Sequence, residues 1–214
     1  MSSPASLPKE IHRSAVRGEL QKVVKWLRKG GVVDAVCPDT TRDGRPTTAT
    51  LLHAAAVNDH LAMVKELLKR GASVDLPNSL GGTALMDTAF YGRLSIVLVL
   101  LQHSANPDLQ NIKGSTALMK AADQGHEPCV KALLRAKANT DLQNFEGSTA
   151  LMLTAHQGHE ACVKVLLRAQ ANTELLDNKG RAALQYAKMK DHTSIAELLR
   201  QNAAPPPQAT SVAP

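Results

Sequence analysis

A threonine returns every 33 residues, at Thr50, Thr83, Thr116 and Thr149, and the next step of 33 lands on Ala182. A fixed period of this length marks a chain assembled from one repeated supersecondary unit. Such a unit cannot bury its apolar face alone and must stack on its neighbours. Other positions keep the same phase. Leu52, Leu85, Leu118, Leu151 and Leu184 follow the threonine column, and Ala56, Ala89, Ala122 and Ala155 lie further on. Gly92, Gly125 and Gly158 precede a column made of His60, His126, His159 and His192. The leucine pairs from Leu67-Leu68 to Leu166-Leu167 come next, and Asp75, Asp108, Asp141 and Glu174 close the units.

Two short helices fit each unit. Leu118, Ala121 and Ala122 share one helical face, and Val130, Leu133 and Leu134 share another after the Gly125-His126 break. The polar stretch Asp141 to Gly147 has turn formers and no helical period, so it reads as an extended finger. Only five aromatic residues occur, Trp26, Phe90, Tyr91, Phe145 and Tyr186. A thin stack of Ala and Leu needs few of them, whereas one large globular core draws on more.

The segment Thr50-Leu51-Leu52-His53-Ala54-Ala55 resembles the T-P-L-H-x-A motif of ankyrin repeats with one change. The resemblance covers about residues 9 to 202 and implies an all-α solenoid of about six helix pairs with β-turn fingers. On that reading, residues 1-8 are a disordered N-terminus and 9-49 an N-terminal capping repeat. Its finger is enlarged by eight residues within Val36 to Ala49. Four full repeats follow over 50-181, then a C-terminal capping repeat over 182-202 and a disordered Ala- and Pro-rich tail over 203-214. Met86, Met119, Met152 and Gln185 stand where the motif has histidine, so a Thr-to-His bond is expected only at His53. Gly71 ends its second helix as the family prefers, while Ser104, Lys137 and Gln170 occupy the equivalent places at the cost of backbone strain.

No catalytic chemistry emerges. GxxxxGK[ST], GxSxG and HExxH are all absent, and the carboxylates are scattered. Cys37, Cys129 and Cys162 are an odd number without zinc or disulfide spacing. Cys129 and Cys162 take an isoleucine's place and read as core, while Cys37, in the long finger, reads as an exposed thiol. The turn histidines are one repeat apart, about 8 to 10 Å, too far to share a metal. No catalytic, cofactor-binding or metal-ligating residue is assigned. The first eight residues lack a secretory signal and no apolar run is long enough to span a membrane. The reading is a monomer of the cytoplasm or nucleus.

The formal charge of +6 favours encounter with anionic partners. Lys65, Lys69, Lys131, Arg135, Lys164 and Arg168 would form a basic stripe down the back, interrupted by Leu98 and Gln102. It lacks interleaved aromatics, which disfavours nucleic acid. The positions that vary between repeats are the finger tips and the open face of each first helix. They give a partner-binding set of Phe90, Tyr91, Ile112, Lys113, Asp123, Gln124, Phe145, Glu146, His156 and Gln157, with the aromatics as anchors. The resulting function is a non-catalytic protein-interaction scaffold or adaptor. The alternative is an inhibitory or regulatory subunit of an enzyme.

Overall fold

The computed structural model describes residues 6–40 and 46–202. Six helix pairs follow one another: α1 (Lys9–Val16) with α2 (Leu20–Arg28), α3 (Leu51–Val57) with α4 (Leu61–Lys69), and α5 (Ala84–Phe90) with α6 (Leu94–Gln102). They continue through α7 (Ala117–Asp123) with α8 (Glu127–Arg135), α9 (Ala150–Gln157) with α10 (Glu160–Arg168), and α11 (Ala183–Met189) with α12 (Thr193–Asn202). First helices pack on first helices and second on second along the stack. The architecture is the predicted all-α solenoid.

The threonine column starts the helices. The hydroxyls of Thr50, Thr83, Thr116 and Thr149 accept the backbone N–H of the residue three on, at 3.2 to 3.3 Å, satisfying an otherwise orphaned donor. Thr50 also bonds His53 Nδ1 at 2.9 Å, and His53 Nε2 reaches the Gly82 carbonyl oxygen at 3.1 Å. In the later repeats Met86, Met119 and Met152 are buried instead, so those repeats keep the cap and lose the ring bond. Ala15, Ala56, Ala89, Ala122 and Ala155 are wholly buried where first helices meet. Anything larger would push that close approach apart.

Adjacent repeats are joined through the turn between paired helices. His60 Nε2 lies 2.8 Å from Val16 O, His126 Nε2 3.0 Å from Phe90 O, His159 Nε2 3.0 Å from Asp123 O, and His192 Nε2 3.3 Å from His156 O. Each ring sits over a left-handed glycine of the preceding repeat. A Cβ on Gly18, Gly92, Gly125 or Gly158 would stand 2.6 to 2.7 Å from it. One joint differs on both sides at once. Asp59 (φ 62°) replaces the glycine, and Arg93 replaces the histidine that would have struck its Cβ. Arg93 forms an ion pair with Asp59 at 3.5 Å, and its Nε is shielded from solvent without a hydrogen-bond partner. A second set of clamps runs through the unit-closing acids, since Asp34, Asp75, Asp108 and Asp141 accept the backbone N–H of Ser73, Asn106, Asn139 and Asn172.

Two expectations need correction at the N-terminal end. The segment read as disordered over 1-8 is anchored by its last residues, because Ser6 bridges Val36 and Leu7 is 2% exposed within the core. Leu7 belongs to the continuous apolar core, and its N–H donates to the Val36 carbonyl oxygen at 2.9 Å. The enlarged finger is a β-hairpin, β1 (Val36–Thr40) antiparallel to β2 (Pro46–Thr50). Cys37 is therefore not an exposed thiol. It faces inward from β1 opposite Ala49 and is 1% exposed. The proposed tail over 203-214 lies outside the described residues.

Ser104, Lys137 and Gln170 all adopt the left-handed conformation, at φ 63°, 63° and 60°. Lys137→Gly and Gln170→Gly should each raise stability by roughly 1 kcal/mol, read as a higher urea midpoint. Arg93→His alone should destabilise by about 1 kcal/mol or more, since the ring meets the Asp59 side chain. Adding Asp59→Gly should recover that loss, and a double-mutant cycle in urea should show coupling of about 1 kcal/mol.

Candidate functional site

The fingers form a continuous ribbon before they form a surface. In each, an asparagine side chain folds the turn: Asn111 Oδ1 accepts from the N–H groups of Lys113 and Ser115, and Asn144 Oδ1 from those of Glu146 and Ser148. Successive fingers are then hydrogen-bonded through Ile112 N to Leu80 O at 3.1 Å, Phe145 N to Lys113 O at 3.0 Å, and Asn178 N to Glu146 O at 3.0 Å. Gln110 and Gln143 side chains each donate to the next finger's backbone, at 3.0 and 2.8 Å. The hairpin joins this ribbon, since Thr48 and Ser79 exchange backbone-to-hydroxyl bonds. The tips are thus held in fixed register.

On that ribbon Ile112 and Phe145 point to solvent, 56% and 71% exposed, on neighbouring fingers. Lys113 and Glu146 beside them are exposed as well. Phe90 and Tyr91 are half-buried and pack edge to face, with ring centroids 5.1 Å apart. The Lys120 ammonium lies 6.0 Å over the Phe90 ring. Asp123 is half-buried and accepts amide bonds from Gln124 at 3.0 Å and from Gln157, one repeat on, at 2.9 Å. His156 stacks edge to face on Tyr186 at 5.6 Å. The ten predicted residues therefore fall into two groups: four exposed finger residues, Ile112, Lys113, Phe145 and Glu146, and a polar-aromatic row of six along and at the ends of the first helices.

Sequence reasoning missed the row between them. Ala54, Asp87, Lys120, Leu153 and Tyr186 occupy one repeat position on the first helices, and the signal was available in how widely that position varies. At the last repeat it reaches the fingers: the Tyr186 hydroxyl donates to Asp177 Oδ2 at 2.6 Å, and the Arg181 guanidinium donates to the same oxygen at 2.7 Å while stacking 4.6 Å from the Tyr186 ring. Burial alone would raise the Asp177 pKa. The side-chain bonds from Arg181 and Tyr186 and the backbone N–H groups of Arg181 and Lys179 outweigh it and hold the carboxyl far below the usual range. Asp87 is the opposite case. Burial raises its pKa, with His53 and Lys120 pulling the other way.

The basic stripe on the back, interrupted at Leu98 and Gln102, is also partly neutralised within its own helices. Lys131 and Lys164 are paired with Glu127 and Glu160 four residues earlier on their own helices. Burial pushes the thiols of Cys129 and Cys162 up to about 11, as suits small core residues. Among the described residues no cluster of three or more His, Cys, Asp or Glu could hold a metal, and no helix is long and apolar enough to cross a membrane.

A stack of helix pairs with a ribbon of fingers along one edge defines a repeat solenoid whose variable side chains share one side. The family model for ankyrin repeats (3 copies) matches in overlapping sets, residues 11–111, 52–144, 86–168 and 118–209, and the chain belongs to the ankyrin-repeat family. Members of that family are generally protein-protein interaction modules. Comparison with curated proteins returns no match.

The Asp177 network makes a pH prediction. A depressed carboxyl contributes stability that is present above its unfolded value, about 3.9, and is lost as pH falls below that toward the folded value. Asp177→Asn should lower stability at neutral pH by about 1 to 2 kcal/mol, and the gap between variant and wild type should narrow in melts recorded as the pH is taken below about 4.

Proposed function

We propose that the chain is a non-catalytic scaffold or adaptor that holds a protein partner against the finger ribbon and the first-helix row. The observation that carries this reading is the adjacent pair Ile112 and Phe145, apolar and exposed on fingers whose backbones are locked together. Exposed apolar side chains cost nothing singly. Here, two large ones stand on neighbouring fingers whose backbones are hydrogen-bonded together. Rigid aromatic and aliphatic anchors surrounded by polar groups are the usual makeup of an interface centre. Because the fingers are already ordered, little conformational entropy is lost on binding. Phe90 and Tyr91 contribute an aromatic shelf beside the row formed by Asp123, Gln124, His156 and Gln157, and Lys113 and Glu146 form a charged rim. Pairing of Lys131 and Lys164 with glutamates in the back stripe favours this face over a nucleic-acid surface.

The double variant Tyr91→Ala with Phe145→Ala tests the reading by calorimetric titration against partners recovered with the wild-type chain. Affinity should fall about a hundredfold or more, as expected for loss of two anchors each contributing about 2 kcal/mol, with the thermal midpoint of the unbound chain nearly unchanged. Undiminished affinity would place the partner elsewhere.

A further inference from the structure

The helix α6 (Leu94–Gln102) differs from the other second helices of the stack. Its nine residues include no charged group, whereas α4, α8 and α10 each carry three. The difference falls on the outer face. Leu94 and Leu98 stand where the next two repeats place the ion pairs Glu127–Lys131 and Glu160–Lys164, and Gln102 stands where they place Arg135 and Arg168. Stacking accepts charge at these positions, so packing between repeats does not demand the leucines. Residues four apart share a helix face, and Leu94 and Leu98 therefore form one apolar stripe. Leu94 is half-buried and Leu98 is 42% exposed. Leu61, the equivalent of Leu94 in the preceding repeat, widens the stripe onto α4, which packs against α6. A helix that is apolar nearly all round is ordinarily covered all round. Here Leu98 is open to solvent instead.

The backbone and the charge of this face determine what fits it. Backbone groups in the middle of a helix bond within the helix, so a partner gains no main-chain bonds there and must bring a backbone already satisfied. Another helix meets that condition, and the usual spacing of packed helices, about 8 to 10 Å, seats its apolar side chains among the three leucines. The rim is cationic. Lys65 and Lys69 on α4 and Arg135 on α8 are exposed and form no ion pair among the described residues, while Arg70 and Lys131 are held by Glu66 and Glu127. A second copy of this chain would set the same cations against these, and each copy carries a formal charge of +6. An apolar stripe bordered by Asp and Glu complements both the leucines and the rim.

We propose that the outer face of α6, with Leu61 beside it, is a second docking surface that takes an amphipathic helix bordered by acidic residues. It lies on the second helices, apart from the fingers and the first-helix row, so a scaffold that carries it can hold two segments at once.

A displayed library of helical peptides with one apolar stripe and randomised flanks, panned on the full chain, tests this. The enriched peptides should carry Asp or Glu beside the stripe. Leu98→Lys installs the residue that Lys65, Lys131 and Lys164 provide at the equivalent places. It should weaken the enriched synthetic peptide about tenfold or more, with the thermal midpoint of the unbound chain close to wild type. Reversing Lys65, Lys69 and Arg135 to glutamate should also weaken that peptide, and should turn selection toward flanks of Lys and Arg. Tyr91→Ala with Phe145→Ala should leave its affinity unchanged, which separates this surface from the groove. Enriched helices indifferent to Leu98→Lys, a preference for neutral or basic flanks, or no enrichment would overturn the inference and leave the groove reading standing. So would a dimer in sedimentation equilibrium that Leu98→Lys dissolves, because a second copy would then be the occupant.

Discussion

Every later feature of this chain depends on a ring and a missing Cβ in the turn between paired helices. The imidazoles of His60, His126, His159 and His192 reach back to a carbonyl of the preceding repeat, and they can do so only because a left-handed glycine leaves room beneath them. The glycine serves two ends at once. It reverses the chain at positive φ with little strain, and its bare Cα is the seat of the next repeat. Rotation between units is thereby fixed, and so is the line along which first helices present their open face. The Asp59 and Arg93 joint supports the same point, because changing the seat coincides with a change of the group that sits on it.

The spacing between repeats also sets what the fingers can do. Ile112, Phe145 and Asn178 donate backbone bonds to the finger before each of them, and this register requires adjacent units to lie at a constant separation. The aspartates that close the units hold the same separation from the other end of the finger. Exposed side chains on such a ribbon are carried by backbone that is fixed on both sides. That is why Phe145 can be largely exposed and still be held in place.

The repeat was legible in the sequence because stacking imposes identical demands on each unit, and 33-residue steps expose those demands as columns. The helix pairs, the buried Cys129 and Cys162 and the strained Lys137 and Gln170 all followed from column membership. What was hidden lay where the columns stop. Leu7 and the hairpin around Cys37 join the core at the first repeat, a contact with no counterpart among the other described repeats, so periodicity carried no information about them. The pairing of Lys131 with Glu127 was missed for a different reason: the stripe was read along the stack, while its neutralising acids lie along each helix. The predicted site residues are legible as positions that differ between repeats, and they lie on the fingers and first helices because stacking leaves those places free to vary.

Variation between repeats has a limit as a guide, and Asp87 shows where it lies. Lys120, Leu153 and Tyr186 vary at that position as much as Asp87 does, so variability alone does not separate a recognition group from a tolerated one. Local satisfaction of charge separates two of them. Tyr186 completes a hydrogen-bonded network with Asp177 and Arg181, which accounts for its presence through stability. Asp87 is a different case, since burial works against its charge while His53 and Lys120 act to keep it. In a scaffold where nearly every other feature is explained by its neighbour one repeat away, Asp87 follows the same rule, since Lys120, its equivalent in the next repeat, offsets part of the cost of its burial.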